Sequence, residues 1–358
     1  MQTFAQVFYL YPAKLTERLE KLPTIKEIAK QLKISASTVS RALHDHPSIG
    51  LRTKMRVKEL AKELNYEPNQ TAIFFQQRKT FTIGVILPDL SEAFFSSAIS
   101  GIEDFASDHK YTVLLGQSHN DEQREKQIIE TMKNHRVDGL LISISKNTSS
   151  FDHFEMLRKY NIPVVFFDRI PDLPDFHTVS CNMVSGTIQA INFLIGKGHR
   201  VIGMINGPEK LPASKDRLAG YREALKKNRL KYDPSLVIST PLTTESIHAA
   251  MDDFIHAKRK PTAIVAFNDY VALDAVQYAR KKKLKINKDI CFVSYANLPI
   301  SHYTAFPPLA SVEQFPYQQG QQAMEILLKL LNGSNEANGN GKFQKVVLES
   351  ELVIHSGL

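Results

Sequence analysis

Cysteine is nearly missing: Cys181 and Cys291 are the two in 358 residues. That excludes a disulfide framework and a cysteine-rich zinc site, and it fits a reducing compartment. Each thiol is expected to serve as a small buried hydrophobe. No apolar run approaches the ~18–20 residues of a membrane span. Glycine motifs that cradle phosphates or present a nucleophile are also lacking: there is no G-x-G-x-x-G between a strand and a helix, no Walker lysine loop and no G-x-S-x-G elbow. Gly196-Lys-Gly198 comes nearest, but it sits at a helix end without a third glycine. The 12 histidines are scattered, with no His-Glu-x-x-His pair to hold zinc. No catalytic residue, metal or cofactor is therefore expected, and the chain does not read as an enzyme. The apolar stretch Phe4–Tyr11 has no basic residue before it and is broken by Gln6, which argues against a secretory signal and for a cytoplasmic protein. Residues 1–22 read as an extension ahead of the first domain.

What is present is globular. Hydrophobic residues are 43% and charged residues 23%, near the average for folded domains, and the length suits two or three of them. The formal charge of +8 is uneven. Residues 1–80 hold 14 Lys+Arg against 7 Asp+Glu, whereas the other 278 hold 31 against 30. A basic excess confined to one small module points to a polyanionic partner for that module.

Three short helical patterns fill the module. Ile25, Ile28, Ala29 and Leu32 repeat with the spacing of one buried face, behind a Thr24/Glu27 capping box. Val39, Ala42 and Leu43 form a second stripe with Ser35 as its cap, and Val57, Leu60, Ala61 and Leu64 a third that Pro68 is expected to end. Only Lys33-Ile34 links the first two, so they must cross steeply, as in a helix-turn-helix. Turning the second stripe inward leaves Ala36, Ser37, Thr38 and Arg41 outward, to face the major groove. There Arg41 can pair bidentately with guanine, and Ser37 and Thr38 can reach bases or phosphates.

Thr24-Ile-Lys-Glu-Ile-Ala, then Ile34-Ser-Ala-Ser-Thr-Val-Ser-Arg-Ala-Leu43, then Leu64-Asn-Tyr-Glu-Pro-Asn69 resembles the headpiece of the lactose-repressor (LacI/GalR) family. The similarity continues through Thr82-Ile-Gly-Val, Gly198-His-Arg, Arg217-Leu-Ala-Gly-Tyr221 and Asn268-Asp269, covering about residues 24–356. It implies that Ala36, Ser37 and Arg41 read bases. It also implies that residues 69–80 form a hinge whose Phe75 wedges into the operator's minor groove, with Ile73 where the family usually has Arg. Lys33 departs from the Gly or Asn common at the family's turn. The implied partners are a pseudo-palindromic double-stranded operator, a second copy of the chain and a small-molecule effector, with no membrane involvement.

From Thr82 on, apolar runs (Ile83–Leu87, Val113–Leu115, Leu140–Ile142, Val164–Phe167, then Val201–Ile205, Val237–Ile238, Ala263–Ala266, Phe292–Ser294) read as buried strands and alternate with helical patterns. The expected fold is an all-α helix-turn-helix headpiece (23–68), then an α/β periplasmic-binding-protein-like core of two doubly wound parallel-sheet lobes (81–358). Lobe 1 is placed at about 81–180 and 312–340, and lobe 2 at about 181–311 and 341–358. Phe315–Leu331 is expected to return to lobe 1, and Asn332–Lys342 to be a loop.

Ligands of such sheets lie beyond the strand carboxyl ends. The candidates there are Asp89, Phe94 and Phe95 after the first strand, Asp168 beside Arg169, Arg217 before a helix starting near Leu218, and Asn268. Phe94 and Phe95 stack on a sugar face or pack in the core. Asp168 binds hydroxyls or pairs with Arg169. One of Asn268 and Asp269 caps a helix. Ala296 stands where the family often has an acidic clamp, and Cys181-Asn182 where many members have Asp-Asn. The effector is read as a sugar or sugar derivative. A solute-binding protein and a regulator answering to a protein co-effector are the competing readings.

Overall fold

The computed structural model describes residues 23–67, 79–333 and 343–355. The extension 1–22, Pro68, hinge positions 69–78 with Phe75, and most of the loop 332–342 lie outside the described residues. The chain divides into two units at Arg78/Lys79.

In the first unit, α1 (Ile25–Leu32), α2 (Ala36–Leu43) and α3 (Leu51–Glu63) close around Ile28, Val39 and Val57, each fully buried. Burying three such side chains contributes about 1.5–3 kcal/mol apiece to a domain this small. The Glu27 carboxylate accepts from the Thr24 N–H at 2.8 Å, and Ser35 Oγ accepts from the Thr38 N–H at 3.1 Å, so both helix starts are satisfied by side chains. Lys33 takes the left-handed conformation (φ 54°) that the steep turn demands. Two expectations are corrected. Helix α3 ends at Glu63 with Leu64 as C-cap and Asn65 left-handed, before Pro68 is reached. Ala36 is half-buried and packs on the headpiece core, because it lies three and seven residues before Val39 and Leu43, on the same face of the helix.

The second unit holds two six-stranded sheets. The first is built from β1 (Thr82–Leu87), β2 (Thr112–Gln117), β3 (Gly139–Ile142), β4 (Val164–Phe167), β5 (His177–Cys181) and β11 (Lys345–Leu348), in the order β11-β5-β4-β3-β1-β2, all parallel. Helices α4 (Ala93–Asp108) and α11 (Pro316–Leu331) cover one face, and α5 (Glu122–Asn134) and α6 (Asp152–Lys159) the other. The α4–α11 seam is tight: a Cβ on Gly320 would lie 2.2 Å from the Ala98 carbonyl oxygen, and one on Gly101 2.1 Å from that of Tyr317.

The second sheet comprises β6 (Ile202–Asn206), β7 (Val237–Ser239), β8 (Ala263–Ala266), β9 (Cys291–Tyr295), β10 (Ala310–Glu313) and β12 (Glu351–Ile354). Its order is β12-β10-β9-β8-β6-β7, with β12 alone antiparallel. Helices α7 (Met183–Gly196) and α8 (Pro212–Lys227) pack on one face, and α9 (Thr244–His256) and α10 (Asp269–Lys281) on the other. The central strands are buried on both faces, which is why they read as unbroken apolar runs.

Three details differ from expectation. Strand β2 is not buried but an edge, with Leu114 and Leu115 exposed. The segment 341–358 is shared, since β11 joins the first sheet and only β12 the second. Helix α8 begins at Pro212, so Arg217 lies within it, in its second turn. The return of Phe315–Leu331 to lobe 1 holds, with α11 lying against α4.

Candidate nucleic-acid interface and effector cleft

In the headpiece the N-terminus of α2 carries a knot of hydroxyls. Ser35 Oγ lies 2.8 Å from both Ser37 Oγ and Thr38 Oγ1. Ser37 is exposed and Thr38 half-buried. Arg41, one turn beyond Ser37, is exposed. Hydroxyls and unpaired N–H groups at a helix start, followed by a guanidinium on the next turn, suit phosphate contact first and a base edge second. Thr24 is exposed at the start of α1. The sequence reading passed over Arg52, exposed in the first turn of α3 behind the Gly50 cap. Lys58, by contrast, is tied to Asp45 at 2.6 Å.

Between the lobes lies a cleft of about 120 Å³. It gathers carboxyl-end residues of both sheets: Phe94 and Phe95 after β1, Asp168 after β4 and Cys181 of β5 from the first lobe. The second lobe adds Arg217 after β6, Asn268 after β8 and Ala296 after β9. Five of the six expected effector contacts thus share one cavity. The exception is Asp89, which is not part of the lining. Its carboxylate accepts from the N–H and Oγ of Ser91 at 2.9 and 2.8 Å and from Gln117 Nε2 at 3.1 Å. The backbone bond from Ser91 is the main reason its pKa is lowered. A short acid two residues ahead of a serine closes a local turn before it can serve a ligand.

Phe94 and Phe95 do two things. They are 6% and 1% exposed, members of the lobe 1 core, and their rings pack edge-on at 5.3 Å, yet both border the cavity. Asn268 is the N-cap of α10: its Oδ1 accepts from the Val271 N–H at 2.9 Å, leaving the amide nitrogen as its free end. Asp168 is left-handed (φ 56°) and lies 4.0 Å from Arg169 Nε, with Ser143 Oγ donating at 3.4 Å. Burial, reinforced by the charge of Glu92, pushes its pKa up to about 6 against the pull of Arg169 and Arg217. Arg169 is engaged elsewhere, 3.7 Å from Glu92 and donating to Asn120 Oδ1 at 2.8 Å.

Arg217 is the unusual group. It is 4% exposed, and its guanidinium carbon sits 4.2 Å from the Phe267 ring centroid and 4.4 Å from that of Tyr295. One terminal nitrogen donates to the Ala213 carbonyl at 3.2 Å, but Nε has no hydrogen-bond partner. Burial lowers its pKa. Two aromatic rings thus lie within cation–π distance of the one guanidinium.

Phe267, Tyr295 and Glu92 had no mark in the sequence beyond lying near strand ends. Asp269, weighed only as a possible cap, is instead fully buried: it accepts from the hydroxyls of Ser294 and Ser311, the latter at 2.6 Å, and from the Leu298 N–H. That grip shapes the turn bearing Ala296 and Asn297, both at positive φ. Cys291 is buried as expected, but Cys181 is half-buried on the cleft wall, its thiol pushed up to about 12 by burial. Among the described residues no group of three or more His, Cys, Asp or Glu could hold a metal, and no helix is long and apolar enough to cross a membrane.

Residues 24–69 match the family model for bacterial regulatory proteins of the lacI family, and residues 80–347 that for periplasmic binding proteins and the sugar binding domain of the LacI family. The HTH-type transcriptional repressor CytR of Escherichia coli (strain K12) is 30% identical over 338 residues, 94% of this chain and 97% of its own. A solved complex of the transcriptional regulator CelR with cellobiose superposes with a TM-score of 0.70 at 25% identity, covering 94% of this chain and all of that one. The Lac repressor dimer bound to operator and the anti-inducer ONPF gives a TM-score of 0.78 over 93% of this chain and 98% of that one. Its 23% identity makes this a likeness of fold.

Proposed function

This chain belongs to the LacI family of bacterial regulatory proteins, DNA-binding transcriptional regulators, and from that premise we propose a repressor switched by a small molecule held between its lobes. It binds a pseudo-palindromic operator as a homodimer, because one recognition helix covers too few bases for genomic selectivity. In the cytoplasm, Arg41 reads a base edge while Ser35, Ser37, Thr38 and Thr24 position α1 and α2 on the phosphates, and the segment 69–80 with Phe75 serves as hinge. Regulation proceeds by binding without catalysis.

One observation supports the effector reading above the others: the Arg217 guanidinium, walled in by Phe267 and Tyr295 with Nε unpartnered, opens on a cleft to which both lobes contribute. A ligand bridging Arg217 and Asn268 of one lobe to Asp168, Phe94 and Phe95 of the other favours one lobe arrangement. That differential affinity is what couples it to DNA. Typical coupling of ~1–3 kcal/mol changes operator affinity about 5–150-fold. The test is an operator selected from random duplexes, titrated with and without metabolites that raise the melting temperature. Hits should shift operator affinity in the wild type and lose their effect in Arg217→Met. Hits that act equally on both proteins would place the effector elsewhere, and a chain that selects no duplex would refute the repressor.

A further inference from the structure

We propose that the end of the second lobe opposite the cleft is a sequence-independent seat for a second stretch of double-stranded DNA, taken up while the headpiece holds the operator. This rests on the repressor reading above and not on its effector.

Beyond residue 80 the near balance of 31 Lys+Arg against 30 Asp+Glu hides a segregation. Four short segments, 197–200, 226–231, 258–260 and 280–288, hold 15 of those cations and no carboxylate; the other 256 residues hold 16 against 30. All 15 are exposed. The segments are far apart in the chain but share one place in the fold. Each lies where a helix passes the chain to a parallel strand of the second sheet, α7 to β6, α8 to β7, α9 to β8 and α10 to β9. Such connections all fall at the amino ends of the strands, whereas the carboxyl ends line the cleft. Side chains and backbone tie neighbouring connections together. His199 bonds through Nδ1 to Thr262 Oγ1 at 2.9 Å, and the Thr262 carbonyl accepts from the Cys291 N–H at 3.1 Å. Asp233, its pKa lowered mainly by hydrogen bonds from Ser235, also feels Arg259 and Lys231. Lys260 and Asp289 border one hollow of about 220 Å³. The hinge joins the core at the other lobe, ahead of β1.

Counter-charges do not cancel this excess. The carboxylates on the adjoining turns are Glu223, Asp233, Asp252, Asp253 and Asp289. Glu223 holds Lys227 at 2.6 Å and Asp252 holds Lys282 at 2.8 Å, while Asp289 accepts from the Lys285 N–H at 2.7 Å. If each offset one cation, ten of the 15 would remain. Like charges crowded at one end repel one another and draw in a polyanion. The four strands lie side by side as β9-β8-β6-β7, about 14 Å across, a length over which a duplex carries about eight phosphates. Eleven of the 15 cations are lysine, flexible point charges suited to phosphate oxygens more than to base edges. No segment contains Phe, Tyr or Trp, on which single-stranded bases would stack. None of the exposed large hydrophobic side chains among the described residues falls in them, so an acidic protein or a membrane would find no apolar anchor.

The test captures the full chain on an immobilised selected operator, offers a random duplex in solution, and follows the mass on the surface from about 50 to 200 mM salt. The random duplex should add mass at low salt and leave as salt rises. Neutralising four exposed lysines together, Lys258→Gln, Lys260→Gln, Lys281→Gln and Lys283→Gln, should weaken the second duplex at least about tenfold and flatten its log–log salt slope by about 3–4. That variant should still hold the operator and melt as wild type does, and arginine at the same four positions should keep the second duplex. Four results overturn the proposal: no added mass, undiminished binding by the glutamine variant, a net loss of mass as the random duplex strips the chain from the operator, or equal or tighter binding of polyglutamate or phosphatidylglycerol vesicles. A chain captured on no operator would sink the repressor reading and this one with it, whereas capture without added mass would sink this one alone.

Discussion

Replacing Asp269 by alanine tests whether a buried carboxylate builds the wall of the cleft. The side chain is wholly buried and takes hydrogen bonds from the Ser294 and Ser311 hydroxyls and the Leu298 N–H. Alanine would strand three donors in the core. The hydroxyls can rotate toward each other, since they already lie 2.8 Å apart, but the Leu298 N–H cannot turn. One stranded amide costs about 1–3 kcal/mol, and the lost charge-assisted bonds bring the total to about 3–5 kcal/mol. At about 2–4 °C per kcal/mol for a unit of this size, the core should melt roughly 6–20 °C lower. The damage is directional as well. Leu298 packs with Phe94 and Phe95 in the first lobe's core although its backbone follows a strand of the second. Freeing it loosens the seam between lobes, so ligand response should weaken even where the core stays folded. Asp269→Asn keeps shape and one acceptor and should lose about half as much, whereas Ser311→Ala should lose about 1 kcal/mol. Thermal unfolding of the three variants, with ligand titration of those that fold, decides it. If Asp269→Ala melts within 2 °C of wild type, the carboxylate bears no such role.

Arg41→Ala should weaken binding to the selected operator by about 1–3 kcal/mol and leave random duplex nearly untouched, as competition gel shifts would reveal; equal losses would make it a phosphate contact. Lys33→Gly relieves a left-handed lysine and should slow amide exchange across α1 and α2, a gain of about 1 kcal/mol; faster exchange would refute it. Asp168 has its pKa raised to about 6, so its protonated form is favoured by folding: stability from this group is full below pH 4 and lost as pH rises through 6. The swing is roughly 3 kcal/mol, and Asp168→Asn should abolish it in melting curves recorded from pH 4 to 8.

The doubly wound core was legible because parallel strands buried on both faces leave apolar runs of four to six residues, and Ile83–Leu87 or Ala263–Ala266 can be little else. The run Val113–Leu115 located strand β2 but not its edge position, because a half-exposed edge strand shows a similar short run. Helix α8 had a readable start in Pro212, a residue favoured at a first helical position, but its larger apolar residues begin only at Leu218. The clustering of Asp168, Arg217 and Asn268 followed from one rule, that strand carboxyl ends converge. Asp269 was beyond that rule: its partners lie 25, 29 and 42 residues away, a meeting that only the packed sheet creates. The aromatic surroundings of Arg217 are hidden for the same reason, since Phe267 follows β8 and Tyr295 ends β9.

The chain passes between the lobes three times, after β5, after β10 and again between β11 and β12. Neither lobe is therefore a continuous stretch of gene. A single recombination event within the core cannot cleanly replace one lobe with a relative's, because it leaves at least one sheet with mixed parentage. A premature stop at codon 343 would remove an outer strand from each sheet at once. Diversification of the ligand site along such a chain must proceed by point substitution, as at Ala296, rather than by exchange of whole lobes.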